Sequence, residues 1–126
     1  MKIIVDTSIF IDHLRGGTVW KKIVDEIGGD TGLFVPTIVL FELFSGESTK
    51  DPIVVSAIYR LLSNFRRIDL NEEISTQAGQ LFRDTKKTLQ VPDCIIAASA
   101  LQVNAMVATL NKKHFEQVPN LSLYEI

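Results

Sequence analysis

A single cysteine, Cys94, stands among the 126 residues. Its solitude excludes an internal disulfide and a thiolate metal cluster, so a metal bound by this chain would be met by oxygen. No apolar stretch reaches the length of a bilayer crossing, and the run Ile3 to Val5 ends at once on Asp6, which the core of a signal peptide does not tolerate. The expectation is a soluble, cytosolic (cytoplasmic) protein with no membrane association. Internal repeats, low-complexity tracts and long Pro/Gly/Ser linkers are also missing. At 46% hydrophobic content the chain can fill one ordinary core, and it reads as one domain over residues 1–126. Charge of one sign is not in excess either: 13 Lys and Arg face 15 Asp and Glu, for a net −2. Bulk electrostatics therefore do not announce a nucleic-acid binder.

The phosphate-binding fingerprints are absent too. No G-x-G-x-x-G follows the first apolar run and no G-x-x-x-x-G-K-[ST] exists, which removes a dinucleotide site and a P-loop. A D-x-D phosphatase signature fails because Ser8 occupies the second acid position, and the acidic pair of a receiver domain is not evident.

Three acids sit in apolar company. Asp6 ends Lys2-Ile3-Ile4-Val5, after which the chain turns polar with Thr7-Ser8; Glu42 lies inside Thr37-Ile38-Val39-Leu40-Phe41-Glu42-Leu43-Phe44; Asp93 opens Pro92-Asp93-Cys94-Ile95-Ile96. Burying any of them charged and unpaired costs several kcal/mol, on the order of the desolvation of an isolated carboxylate. Something cationic should meet them, and if they converge the simplest partner is Mg²⁺ or Mn²⁺, which prefers carboxylate and water oxygens. Each acid has a plainer role open to it. Asp6 and Asp93 could cap helices, and Glu42 could reach solvent along a helix flank. The basic residues Arg15, Arg66-Arg67, Arg83, Lys86-Lys87 and Lys112-Lys113 are either solvated helix ends or phosphate contacts, and the sequence does not choose among them.

Periodicity gives the layout. Ile3 to Val5 reads as a strand buried on both faces, and Trp20, Ile23, Val24 and Ile27 mark a helix ended by Gly28-Gly29. Leu33-Phe34-Val35 is a second strand; Pro36-Thr37 breaks the chain and N-caps the helix that carries Glu42, closed by Ser45-Gly46. A helix after Asp51-Pro52, a brief extended Ile68-Asp69-Leu70, a helix capped by Asn71, an all-round apolar helix from Asp93 to Val103, a strand at Ala105–Thr109 and a last strand at Leu121–Tyr124 complete it. Short apolar strands separated by helices predict an α/β fold with a mainly parallel sheet, whose ligands gather at strand carboxyl ends.

Four segments, V-D-T-S-I-F-I-D at Val5 to Asp12, P-T-I-V-L-F-E-L at Pro36 to Leu43, D-C-I-I-A-A-S-A-L at Asp93 to Leu101 and A-T-L-N-K-K-H-F at Ala108 to Phe115, resemble the PIN-domain ribonucleases, especially the small VapC-like toxins of toxin–antitoxin pairs. Their order, and intervals of about 36 residues from Asp6 to Glu42 and about 51 from Glu42 to Asp93, make the likeness specific and extend it over essentially the whole chain.

The resemblance implies a three-layer α/β/α sandwich that cleaves RNA with Mg²⁺ or Mn²⁺ held by Asp6, Glu42 and Asp93. It implies site hydroxyls at Thr7 or Ser8 and at Thr109. Glu42 is open to two roles, metal ligand or water-orienting base. The family often carries a fourth acid after the last core strand, where this chain offers Asn111 and His114. A homodimer and a cognate antitoxin are implied as partners, the antitoxin laying a helix over apolar side chains such as Phe10, Ile11, Leu14 or Phe44. Two other functions compete: a non-catalytic PIN-like module that binds RNA or protein, and a metal-dependent phosphatase acting on small phosphomonoesters.

Overall fold

The computed structural model describes residues 1–126. Strand β1 (Lys2–Val5) carries Ile3, Ile4 and Val5, all fully buried, which places it in the middle of the sheet rather than at an edge. It pairs in parallel with β2 (Gly32–Pro36) on one side, Ile3 opposite Leu33, and with β4 (Met106–Ala108) on the other, Ile4 opposite Val107. Strand β3 (Arg66–Ile68) adds to β2, giving the all-parallel order β3-β2-β1-β4. Helices cover this sheet in an α/β/α sandwich, as the pattern predicts.

Strand order reverses at β1, so a crevice opens at the carboxyl ends of β1 and β4. Asp6 leaves β1 there and Thr109 leaves β4.

Helix α1 (Thr7–Leu14) begins immediately after Asp6, where the sequence reads only as a polar chain end. The two hydroxyl residues mask the start of a stripe whose Ile9 and Phe10 are fully buried. Phe10 is consequently not the exposed apolar side chain expected of a partner surface. Its ring meets Phe65 edge-on at 5.2 Å, and Phe65 in turn lies 5.4 Å from Trp20 of α2 (Val19–Glu26). The order of hydrophobic spacing shows that a helix buries Phe10, but the polar lead-in hides which face turns inward.

Helix α3 (Thr37–Phe44) follows β2 without a side-chain cap: Pro36 is the N-cap and Thr37 is already helical, a correction to the capping role expected of it. A 3₁₀ turn (Glu47–Lys50) leads to α4 (Pro52–Leu62), which Asp51 does cap, its carboxylate accepting from Ile53 N at 2.9 Å. Asn71 caps α5 (Glu72–Asp84) through Ile74 N at 2.8 Å, with Glu72 and Glu73 suiting the positive end of the helix dipole.

Helix α6 (Val91–Val103) is buried from Cys94 to Ala100, with Ser99 satisfying its hydroxyl on the Ile95 carbonyl at 2.7 Å. It packs against α5, α3 and the sheet, and ends on Asn104 in the left-handed conformation (φ 58°). The short α7 (Lys112–Phe115) closes the chain beyond β4.

Two expected strands differ. The third pairs two residues earlier, over Arg66–Ile68 rather than Ile68–Leu70. Leu121–Tyr124 makes a single parallel bridge, Leu123 to Val107, through Val107 N to Ser122 O and Tyr124 N to Val107 O, both 2.9 Å. With only three residues in β4, the outer edge offers one ladder step and no more.

Candidate active site

The sheet delivers Asp6 to the crevice by its backbone: Asp6 N donates to Ala108 O at 2.9 Å, continuing the β1–β4 ladder one step past β1. The residue is only 3% exposed, so its carboxylate must be satisfied by protein or by an ion. Two hydroxyls serve it. Ser8 Oγ and Thr109 Oγ1 each donate to Asp6 Oδ2 at 2.8 Å.

Both hydroxyls are themselves oriented by backbone amides, since Leu110 N donates to Ser8 Oγ at 3.1 Å and Asn111 N to Thr109 Oγ1 at 2.9 Å. Each hydroxyl proton is thereby committed to Asp6, and Oδ1 is left without a protein donor. The sequence reading offered Thr7 or Ser8 as a site hydroxyl; the structure uses both, on different acids. Thr7 Oγ1 donates to Glu42 Oε1 at 2.7 Å, tying α1 to α3.

Glu42 and Asp93 feel this crowding. Burial pushes the Glu42 carboxyl up from its ordinary value of 4.5; the Thr7 hydroxyl draws it back, and the charges of Asp6 and Asp93 raise it again. Burial likewise raises Asp93 above 3.8, reinforced by Asp6 and opposed by His114. The three acids therefore share one field. His114 Nδ1 stands 3.5 Å from Asp93 Oδ2, half of its side chain exposed. No Lys or Arg nitrogen lies within 4.0 Å of Asp6, Glu42 or Asp93. Cys94, next in sequence, has its thiol pushed up by burial and then by Asp93, which keeps it protonated in the core.

Carboxylates crowded in one crevice without a lysine or arginine partner suit a hard divalent cation, and their oxygen donors suit Mg²⁺ or Mn²⁺. The acids do not converge into a closed cage, for no three His, Cys, Asp or Glu side chains reach metal-holding spacing together.

The remaining expected site residues divide. Asn111 contributes its backbone N–H, while its exposed side chain makes no hydrogen bond to the acids. His114 does reach the site through Asp93. His13, the other histidine, lies at the far end of α1 with Nδ1 enclosed and unpaired. The amides of Leu110 and Asn111 were not foreseen as orienting groups, and backbone donors leave no trace in residue identity.

The parallel sheet with its helical layers and the crevice at β1 define an α/β/α sandwich domain, and the PIN domain matches residues 3–121, so the chain belongs to the PIN-domain family. Within that family its likeness is to VapC proteins. It is 31% identical to Ribonuclease VapC1 of Methanocaldococcus jannaschii over 97% of this chain and 85% of that protein. It is 29% identical to Ribonuclease VapC19 of Mycobacterium tuberculosis over 94% and 95%. Among solved structures, VapBC2 from Rickettsia felis bound to a promoter DNA fragment superposes with a TM-score of 0.85 at 25% identity, covering 98% of both chains. DNA-bound VapBC from Salmonella typhimurium gives 0.84 at 19% identity over 98% and 97%, a likeness of fold.

Proposed function

We propose that this protein is an endoribonuclease, the toxin of a toxin–antitoxin pair, which hydrolyses RNA phosphodiester bonds at Asp6, Glu42 and Asp93 with Mg²⁺ or Mn²⁺. The observation that carries the reading is that Asp6, Glu42 and Asp93 gather at one crevice with no Lys or Arg nitrogen within 4.0 Å of any of them. The VapC names of its relatives support the activity.

A divalent ion bound here supplies charge for the phosphate and lowers the pKa of a coordinated water. The chain's own residues do the rest. Asp6 is a fixed anchor, its Oδ2 locked by Ser8 and Thr109 and its Oδ1 open. Glu42 keeps Oε1 on Thr7 and leaves Oε2 for water; its raised proton affinity suits a group that orients the attacking water and takes its proton. Asp93 faces the same space with His114 beside it, where the imidazole holds the carboxylate's orientation.

An apolar cleft of about 520 Å³ runs between α1, α3 and α4, with Ile11, Leu14, Leu43, Ile53, Val54 and Glu42 on its walls. A helix of the cognate antitoxin laid in it would bring a cationic side chain to the acids and silence them. The solved VapBC complexes support such a partner. Phe41, 67% exposed on α3, with Leu70 and Val91 also exposed, supports a homodimer. The protein functions as one domain in the cytoplasm.

Incubating a structured RNA with the parent and with Asp6→Asn and Glu42→Gln variants in Mn²⁺ tests the reading. Site-specific cleavage by the parent alone is expected. A parent no more active than its variants points to a non-catalytic module, and turnover of phosphomonoesters without RNA cleavage points to a phosphatase.

A further inference from the structure

A chain of net charge −2 that gathers three acids in one crevice repels the polyanion it is proposed to cut, so cations placed beside that crevice must offset the repulsion. The structure separates the basic residues that the sequence leaves undivided. Arg67 is occupied with the carbonyls of Leu62 and Phe65 at 2.8 and 3.0 Å, Arg83 with Asp84 at 2.7 Å, Lys50 with Glu47 at 2.7 Å and Lys2 with the Val103 carbonyl at 3.2 Å. Arg60 lines a different cavity, with Trp20 and Phe65.

Arg15, Lys112 and Lys113 differ in where they stand. Arg15 shares the wall of the Glu42 cleft and also lines the neighbouring hollow with Ser8 and Asn111. Asn111 continues into a third hollow with Thr109, Lys112, Lys113 and His114. The first two hollows share Ile11 and Arg15 and the last two share Leu110 and Asn111, so they form a path that passes Glu42 and the residues bonded to the other two acids: Ser8 and Thr109 beside Asp6, and His114 beside Asp93. Arg15 and Lys113 form no ion pair, and Lys112 meets only Glu125, at 3.5 Å, itself 91% exposed. The acids on the walls are turned elsewhere: Asp12 Oδ2 accepts from Val19 N at 3.4 Å and Glu47 holds Lys50.

We propose that these joined hollows are the track of single-stranded RNA, with Arg15 contacting backbone phosphate on one side of the scissile bond and Lys112 and Lys113 on the other. The track deepens the ribonuclease reading and rests on it. It also gives the net negative protein a local positive path: Arg15 lines the hollows toward one end and Lys112 and Lys113 the hollow at the other, so a strand along the path meets cations on either side of the residues that touch the acids. The contacts are to phosphate, hence blind to sequence.

Binding of a short fluorescein-labelled uridine-rich oligoribonucleotide, followed by anisotropy in EDTA over a range of salt, tests this apart from cleavage. Arg15→Ala and Lys113→Ala should each weaken binding several-fold at low salt. Each should flatten the plot of log K against log salt by about 0.7, the loss of one single-strand phosphate contact. Arg15→Lys should recover most of the affinity, and Arg83→Ala should match the parent. If Arg15→Ala and Lys113→Ala bind as the parent does, or Arg83→Ala is weakened equally, the track is wrong even where the parent cleaves RNA. A parent that binds with this pattern yet never cleaves keeps the track and sinks the nuclease reading; a parent that does not bind overturns the track, and cleavage in Mn²⁺ decides the nuclease reading separately.

Discussion

Thr109 Oγ1 donates to Asp6 Oδ2 at 2.8 Å across 103 residues of chain, a bond that exists because β1 and β4 are neighbours in the sheet and end at the same level. Thr109 is 1% exposed and Asp6 3%, so neither group has water as a substitute partner. Together with the Ser8 bond it fixes the rotamer of the buried Asp6 carboxyl.

Thr109→Val keeps the volume and deletes the donor. It also removes the acceptor of Asn111 N. We expect a loss of about 1–3 kcal/mol in stability, the range for a buried polar group left unpaired. Cleavage should fall about 10- to 100-fold, as for other residues that orient a metal-site carboxylate. Urea denaturation and single-turnover cleavage measure the two; unchanged cleavage in a folded variant would show that Asp6 needs no second anchor.

Much of this was legible in the sequence, for identifiable reasons. β1 and α6 announce themselves because a fully buried strand and a fully buried helix are apolar without alternation, as Ile3-Ile4-Val5 and Cys94 to Ala100 are. Asn71 is read correctly as a cap, and Asp51-Pro52 as the break before a helix, because capping and proline chemistry are local. α1 was missed because Thr7 and Ser8, polar for the sake of Glu42 and Asp6, break the hydrophobic stripe at its start. Which hydroxyl serves which acid, and which of the basic residues border the crevice, depend on long-range placement that no local pattern encodes.

Phe10 and Phe41 form a matched pair for separating core from surface. Phe10 is fully buried against Phe65, and Phe10→Ala should destabilise by about 3–5 kcal/mol through lost burial and the cavity left behind. Phe41 is 67% exposed, and Phe41→Ser should change monomer stability by less than about 0.5 kcal/mol. Light scattering on the same proteins reports on the proposed dimer: Phe41→Ser should shift it toward monomer, and an unchanged mass would remove α3 from the interface.

His114 opposes the rise in the Asp93 pKa, through its charge and its bond. His114→Ala removes that opposition, leaving burial and Asp6 to act alone, so Asp93 should titrate at higher pH than in the parent. Carbon-13 chemical shifts of the Asp93 carboxyl, followed against pH without metal, read this directly. An identical midpoint in parent and variant would place His114 outside the site's electrostatics. The acid limb of the cleavage profile should move the same way, because binding of a cation requires the ionised carboxylate.

Glu42→Gln should make the metal-free protein more stable while sharply reducing cleavage. The folded-state pKa of Glu42 is raised, by burial first and by Asp6 and Asp93 after, so the folded protein binds this proton more tightly than the unfolded chain does. Its favourable contribution is fully present below the unfolded value of 4.5 and is lost as pH rises through the folded value. Above its folded value the parent carries the penalty of a crowded charge, and the variant, whose amide oxygen can still accept from Thr7, does not. In EDTA at neutral pH we expect the variant to melt higher by about 2–5 °C, the size of shift common when a functional charge is neutralised in a domain of this length. The gap should close as pH falls toward 4.5, where the parent's Glu42 is also protonated. Adding Mn²⁺ should close it from the other direction, by stabilising the parent more than the variant. Cleavage should drop about 10²- to 10⁴-fold if Glu42 handles the proton of the attacking water. A melting difference that stays constant from neutral to acid pH would mean that Glu42 is not under electrostatic strain, and the physical case for a cation among these three acids would go with it.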